Sequence, residues 1–178
     1  MVEKRKALAA VFLSIAIIST VSLISPTVNY IEFYKSIERF VLEVDRITLN
    51  LTNLVDGKFT IYVMFNASNY SGFNQLKLTA ITCHLDYFED SAITLVAETK
   101  VFSPPILLGP YNTSSVPVTF EIDYLKTSNP SPILNFISLL QTNPERITWI
   151  PWGQYTLYAF TYSFTTQFWF SHETILRS

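Results

Sequence analysis

"RITLNLTNLVDGKFTIYVMF", residues Arg46 to Phe65, decides the fold class. In its first half Ile47, Leu49 and Leu51 alternate with Thr48, Asn50 and Thr52; in its second half Phe59, Ile61, Val63 and Phe65 alternate with Thr60, Tyr62 and Met64. A period of two puts successive side chains on opposite faces of an extended strand. Asp56-Gly57 lies between the halves and is a strong hairpin signal. Two strands with one apolar face each are an unfinished layer, which a second layer must cover.

The alternation continues downstream. In "QLKLTAITCHLDY" (75–87) the apolar set changes from Leu76, Leu78 and Ala80 to Ile81, Cys83 and Leu85, a parity switch that predicts a β-bulge. "DYFEDS" (86–91) reads as a turn, "AITLVAETKVF" (92–102) as a strand through Ile93, Leu95 and Ala97, and "SPPILLGPYNTSS" (103–115) as a Pro-rich connector. Val116, Val118, Phe120 and Ile122 then alternate cleanly. "SNPSPILNFISLLQTN" (128–143) opens with cap residues and Pro and continues into Ile133, Leu134, Phe136, Ile137, Leu139 and Leu140, which predicts one short helix. The last elements are "ITWIPW" (147–152), a turn at Gly153 and a long aromatic strand (155–170). The sum is a mainly β chain: an antiparallel β-sandwich of about seven strands with one short late helix.

Composition agrees. The chain has 178 residues, of which 49% are hydrophobic, 15% aromatic and 15% charged, too apolar for disorder and suited to one domain with an appendage. The appendage is visible in "ALAAVFLSIAIISTVSLIS" (7–25), nineteen predominantly apolar positions, against the roughly 20 that a helix needs to cross a bilayer. Lys4, Arg5 and Lys6 precede it and the next charge is Glu32, so the positive-inside bias holds residues 1–6 in the cytoplasm and directs the rest outward. A cleaved secretory signal is the rival; against it, the run exceeds the usual h-region and no A-x-A-like site precedes Pro26. The expectation is an uncleaved, single-pass cell-membrane anchor.

From Asn29 to Asp45, Tyr30, Phe33, Tyr34, Ile37, Phe40, Val41 and Val44 recur at spacings of three and four, which predicts an amphipathic stalk over 26–45 before an extracytoplasmic domain over 46–178. Beyond Pro26 there are nine Lys/Arg and thirteen Asp/Glu, a net charge of −4 without a basic cluster, so nucleic-acid binding has no electrostatic support. Cys83 is the lone cysteine, which excludes an intrachain disulfide. Four N-x-[ST] triplets begin at Asn50, Asn66, Asn69 and Asn112, and on an outward-facing domain they are candidate glycosylation sites.

The order of these pieces carries a resemblance. "ITLNL" and "GKFTIYVMFNASNYSGFNQLKLTAITCHLDYFEDSAITLVAETKVFSPPILLGPYNTSSVPVTFEI", in the run from Ile47 to Ile122, resemble the late embryogenesis abundant group 2 domain, also called the water-stress and hypersensitive-response domain. Asn66 stands where that family's Asn-Pro-Asn turn would begin, here without the proline. The resemblance implies a small fibronectin-III-like sandwich, a membrane-anchored form, no catalytic residues, and a binding or stress-protective envelope role. A second resemblance is to archaeal type IV pilin-like subunits: "KRKA" before a long apolar run implies a cut near Ala7 and a helix packed in a filament core.

Chemistry-bearing constellations are sparse. Alternation sends Cys83 and His84 to opposite faces, and the other histidine, His172, is remote in sequence, so a core thiol and a surface imidazole are expected rather than a metal site. Asp86, Glu89 and Asp90 lack EF-hand spacing and read as a solvated turn. There is no G-x-S-x-G and no H-E-x-x-H, and all four glycines fall at predicted turns, so no phosphate loop can be assembled. No catalytic, cofactor or metal residues are assigned, and an envelope enzyme is the least favoured alternative. Along 155–170 both faces are apolar, with Tyr158, Phe160, Tyr162, Phe164, Phe168 and Phe170 on one and Tyr155, Leu157, Ala159 and Trp169 on the other; a strand covered on both sides is expected. Trp149, Trp152 and Trp169 form the candidate surface for an envelope protein or glycan partner.

Overall fold

The computed structural model describes residues 2–88, 92–143, 147–170 and 172–173. Helix α1 (Val2–Glu38) leads into β1 (Phe40–Asn50), β2 (Lys58–Asn69), β3 (Lys77–Phe88), β4 (Ala92–Leu107) and β5 (Asn112–Asp123). Helix α2 (Ser131–Thr142) precedes β6 (Thr148–Ala159) and β7 (Tyr162–Trp169), and a two-residue strand β8 (His172–Glu173) adds to β6. The strands form two antiparallel sheets, β1-β2-β5 and β4-β3-β6-β7, so the chain is mainly β with a sandwich-like core behind an N-terminal apolar helix.

The alternating residues define that core. Phe59, Ile61, Val63 and Phe65 of β2 and Val116, Val118, Phe120 and Ile122 of β5 are buried, and so are Leu78, Ile81, Cys83 and Leu85 of β3. The sheets meet through rings: Phe65 lies 5.6 Å from Phe168, and Phe40 lies 5.0 Å from Tyr155. The bulge expected in β3 is present as a register shift between Leu78 and Ala80, which carries the inward set from Leu78 to Ile81. A second shift, between Val44 and Arg46 of β1, hands the buried side from Phe40 and Leu42 to Ile47. At the end away from α1, Phe136 of α2 is buried among Phe59, Tyr87 and Trp149 at ring distances of 6.1, 5.4 and 5.3 Å, which closes the sandwich there.

Four boundaries depart from the sequence reading. The amphipathic helix expected to Asp45 ends at Glu38, because Phe40–Val44 also satisfy a period of two and gain a backbone ladder against Phe65–Asn69. The strand expected to stop at Phe65 runs on to Asn69, held between β1 and β5. The Pro-rich connector is mostly strand: β4 extends to Leu107 and β5 starts at Asn112, with Pro104 and Pro105 on an edge strand, where a missing N–H is tolerated. Gly153 is not a turn. It sits inside β6, where a Cβ would lie 2.0 Å from the Thr82 carbonyl oxygen, and the chain reverses instead at Phe160-Thr161. The long aromatic strand is therefore a hairpin.

Pro26 neither breaks α1 nor separates it from the domain. The last turns of the helix are seated on the sandwich: Phe33 and Ser36 are fully buried, Tyr162 lies 5.4 Å from Tyr30 and 5.8 Å from Phe33, and its hydroxyl donates to the Pro26 carbonyl at 3.4 Å. Residues 10–28 of α1 are exposed on every side.

Candidate functional site

Antiparallel pairing aligns residues of β4, β3, β6 and β7 in rows across the outer face of the larger sheet. One row reads Ala97, His84, Trp152, Trp169; the next reads Thr99, Thr82, Gln154, Gln167. The first is aromatic and the second carries hydroxyls and amides, and between them lies a cavity of about 250 Å³ lined by Thr82, His84, Trp152, Gly153, Gln154 and Gln167. Gly153 deepens it, since the close approach to Thr82 excludes any side chain there.

The aromatic row is stacked. His84 stacks on Trp152 with ring centroids 4.1 Å apart and planes 11° apart, and Trp152 in turn lies 6.2 Å from Trp169 at 27°. Trp152 Nε1 donates to Asp86 Oδ2 at 2.8 Å. The rings stand as adjacent plates, so the indole face left open is that of Trp169, which is 67% exposed on the last full strand of the sheet. Thr82 and Thr99 hydroxyls bond to each other at 3.1 Å. Among the described residues Asp86 sets a carboxylate beside this face; its Oδ2 accepts from Trp152 and its Oδ1 is buried without a partner. The arrangement offers neutral hydrogen-bonding groups beside an apolar plate.

Of the three candidate partner-surface tryptophans, the structure brings Trp152 and Trp169 together and removes Trp149, which is fully buried in the core. Trp149 and Trp152 are three apart in one strand and so face opposite ways, a signal the alternation already contained. His84, Gln154 and Gln167 join the site through cross-strand register, which no local pattern reveals.

Cys83 points into the core and His84 outward, as expected; burial, with the nearby Asp86 charge, pushes the Cys83 thiol up to about 12. Among the described residues no cluster of His, Cys, Asp or Glu could hold a metal ion. Of the acidic turn, Asp86 lies in β3, while Glu89 and Asp90 fall outside the described residues.

The four sequon asparagines are placed differently. Asn50 and Asn112 are exposed at strand ends, and each uses Oδ1 as an acceptor, from Thr52 and from the Thr113 N–H. Asn66 lies mid-strand in β2, where its amide donates to Asp45 Oδ1 at 3.4 Å and its Oδ1 accepts from Ser115 at 3.4 Å. Asn69 is fully buried. Its Nδ2 donates to the carbonyls of Phe73 (2.8 Å) and Leu108 (3.1 Å), and its Oδ1 accepts from the Ser71 N–H (3.0 Å) and hydroxyl (2.6 Å). That nitrogen is the one a glycan would occupy, and a glycan on Asn69 is incompatible with this fold.

No protein-family model matches the chain, and no curated protein does. Among solved structures, similarity is found to a protein from Archaeoglobus fulgidus (9% identity, 75% of this chain and 100% of that one, TM-score 0.41). A Northeast Structural Genomics Consortium target matches at 12% identity over 79% of this chain and 92% of its own, TM-score 0.43, and a second such target, from Bordetella pertussis, at 12% over 73% and 92%, TM-score 0.36. At these scores the fold rests on the strand pairings described above.

Proposed function

We propose that the protein is a membrane-anchored, non-catalytic binding domain that displays the outer face of β3, β6 and β7 to a neutral, polyhydroxylated chain of the cell envelope. The observation that carries this reading is the pair of aligned rows. The exposed indole face of Trp169 suits the C–H face of a sugar ring, while Thr82, Gln154 and Gln167 suit its hydroxyls. The late helix between the fifth and sixth strands and the seven-stranded core support the resemblance to the late embryogenesis abundant group 2 domain, with a protective role outside the cytoplasm.

The anchor reading is supported by α1 itself. It is long and apolar enough to cross a membrane, and the hydroxyls of Ser14, Thr20, Ser22 and Thr27 donate to the carbonyls four residues earlier, which satisfies them without water. The domain is then extracytoplasmic, with Asn50 and Asn112 as its accessible sequons.

Binding is tested with the full-length chain in nanodiscs, by tryptophan fluorescence against a panel of neutral gluco-, manno- and xylo-oligosaccharides. Saturable quenching that Trp169→Ala and the Gln154→Ala/Gln167→Ala pair abolish is expected; no response across the panel, or a response indifferent to these variants, sinks the reading. The second reading, a pilin-like filament subunit, draws on the exposed apolar length of α1. A mature N-terminus near Leu8 by intact mass would favour it over the anchor.

A further inference from the structure

The end of the sandwich that receives α1 carries a concentration of exposed aromatic side chains. Three loops converge there: the β2–β3 loop with Tyr70, the β4–β5 turn with Tyr111, and the β6–β7 turn with Phe160. Their proximity is fixed by contacts: the Tyr70 N–H donates to the Arg39 carbonyl at the helix exit, the Tyr111 N–H donates to the Ser71 carbonyl, and Phe160 lies 6.0 Å from Phe73. Tyr70 is 56% exposed, Tyr111 73% and Phe160 43%.

Two of these residues oppose local preference. Tyr111 and Phe160 have φ of 52° and 54°, in the left-handed region that favours Gly, Asn and Asp and disfavours bulky side chains. Each is a turn residue that glycine would suit better, yet each presents a ring to the outside at the same end of the domain. Phe160 gains one edge contact with Phe73, but Tyr111 keeps 73% and Phe160 43% of its surface open, and a turn residue kept against its local rule with so much ring exposed points to a function for that ring.

The helix fixes what lies beyond that end. The charge-free run from Ala7 to Ile31 would be roughly 37 Å long as a helix, longer than the roughly 30 Å hydrocarbon layer, so its last residues reach the headgroups. Tyr162, at the base of the β6–β7 turn, reaches this level, with its hydroxyl on the Pro26 carbonyl and its ring against Tyr30. The domain therefore has no free stalk beneath it.

We infer that this end is a membrane-seating rim, in which Tyr70, Tyr111 and Phe160 enter the lipid headgroup layer beside Tyr30 and Tyr34 and hold the sandwich in one orientation on the bilayer. Aromatic rings with a polar tip or a shallow apolar body partition to that layer. The inference rests on α1 spanning the membrane. It predicts that the opposite end, with the solvent-exposed Val55 (98%), points away from the bilayer.

The test places single nitroxide labels on the full-length chain in phosphatidylcholine nanodiscs, at Tyr70→Cys, Tyr111→Cys, Phe160→Cys, Val55→Cys and Ile18→Cys. The buried Cys83 is left in place and the unsubstituted chain serves as the blank. Relative accessibility to oxygen over a water-soluble nickel chelate should be several-fold higher at 70, 111 and 160 than at 55, and highest at 18. If 18 reads as lipid while the three rim labels match 55, the rim is overturned and the anchor stands; if 18 also reads as water, both fall. Rim labels shielded from oxygen and nickel alike would mean a protein contact and overturn the lipid assignment. If a cysteine disturbs a turn, Leu107→Cys, exposed on the same rim, reads the same environment.

Discussion

Removing the Asn69 side chain should be among the most damaging single changes outside the apolar core. Its amide uses both donors and both acceptor positions, and in doing so ties the β2–β3 loop to the turn after β4 through Leu108. Ser71 then passes the restraint on, its hydroxyl accepting from the Phe73 N–H at 3.2 Å. In Asn69→Ala the Phe73 and Leu108 carbonyls and the Ser71 N–H lose their partner in a region where Asn69 is fully buried and Ser71 5% exposed. At about 1 kcal/mol or more for each orphaned buried group, the loss is about 3 kcal/mol. Asn69→Asp keeps the shape but turns an oxygen toward two carbonyl oxygens, and at neutral pH it buries a charge as well, so it should be worse than alanine.

The two variants differ in pH dependence. Burial beside carbonyls raises the folded-state pKa of an aspartate at 69 above its unfolded value, so the protonated form is the better tolerated one. The stability of Asn69→Asp should rise as pH falls from 7 toward 4, because a protonated carboxyl can donate to one of the two carbonyls, whereas Asn69→Ala should follow the parent. Urea unfolding in detergent micelles, followed by tryptophan fluorescence, to which the buried Trp149 contributes, measures both. A loss under 1 kcal/mol in Asn69→Ala, or no recovery of Asn69→Asp in acid, would refute the reasoning.

Gly153→Ala should destabilise by about 3 kcal/mol or prevent folding, since its Cβ would meet the Thr82 oxygen at 2.0 Å and Cys83 Cα at 3.2 Å and force β3 and β6 apart; thermal melts decide, and a neutral result would mean the strands are more widely spaced than described. Tyr111→Gly should stabilise the domain by about 0.5–1 kcal/mol by relieving a positive φ, read from the same melts. The Cys83 thiol should resist maleimide in the native protein and react on unfolding. Because its folded pKa, about 12, lies above the ordinary 9.0, stability should be unaffected by this group below pH 9 and fall as pH rises above it, less steeply in Cys83→Ala than in the parent. Glycopeptide mapping from a glycosylating host should find Asn50, at the end away from α1, modified and Asn69 bare; an occupied Asn69 in folded protein would contradict its burial.

How much of this was readable in advance follows from which forces are local. Alternation reports a half-buried strand directly, so the inward sets of β2 and β5 and the bulge that shifts β3 from Leu78 to Ile81 were legible residue by residue. Strand ends were not, because a ladder partner far away in sequence decides whether a polar stretch stays extended. Asn66–Asn69 and Pro104–Leu107 both look like loop and are both strand. Phe40–Val44 fits a helix and a strand equally well by spacing, and pairing with Phe65–Asn69 settles it as strand. Gly153 misled because glycine marks turns and close approaches alike, and only the position of Thr82 separates the two.

The candidate site was less legible than the fold for the same reason. Trp152 and Trp169 could be suspected from their chemistry, but His84, Thr82, Gln154 and Gln167 join them only through a register that spans three strands. Where local and global preferences agree, as along β2, the residues are explained by stability alone. Where they conflict, as at the 73% exposed Tyr111, stability argues for replacement by glycine, and the aromatic ring requires another reason to be there. The Asn69 sequon shows the reverse case: a motif that looked like surface chemistry is consumed by the fold, with every donor and acceptor of its amide already spent on holding two turns together.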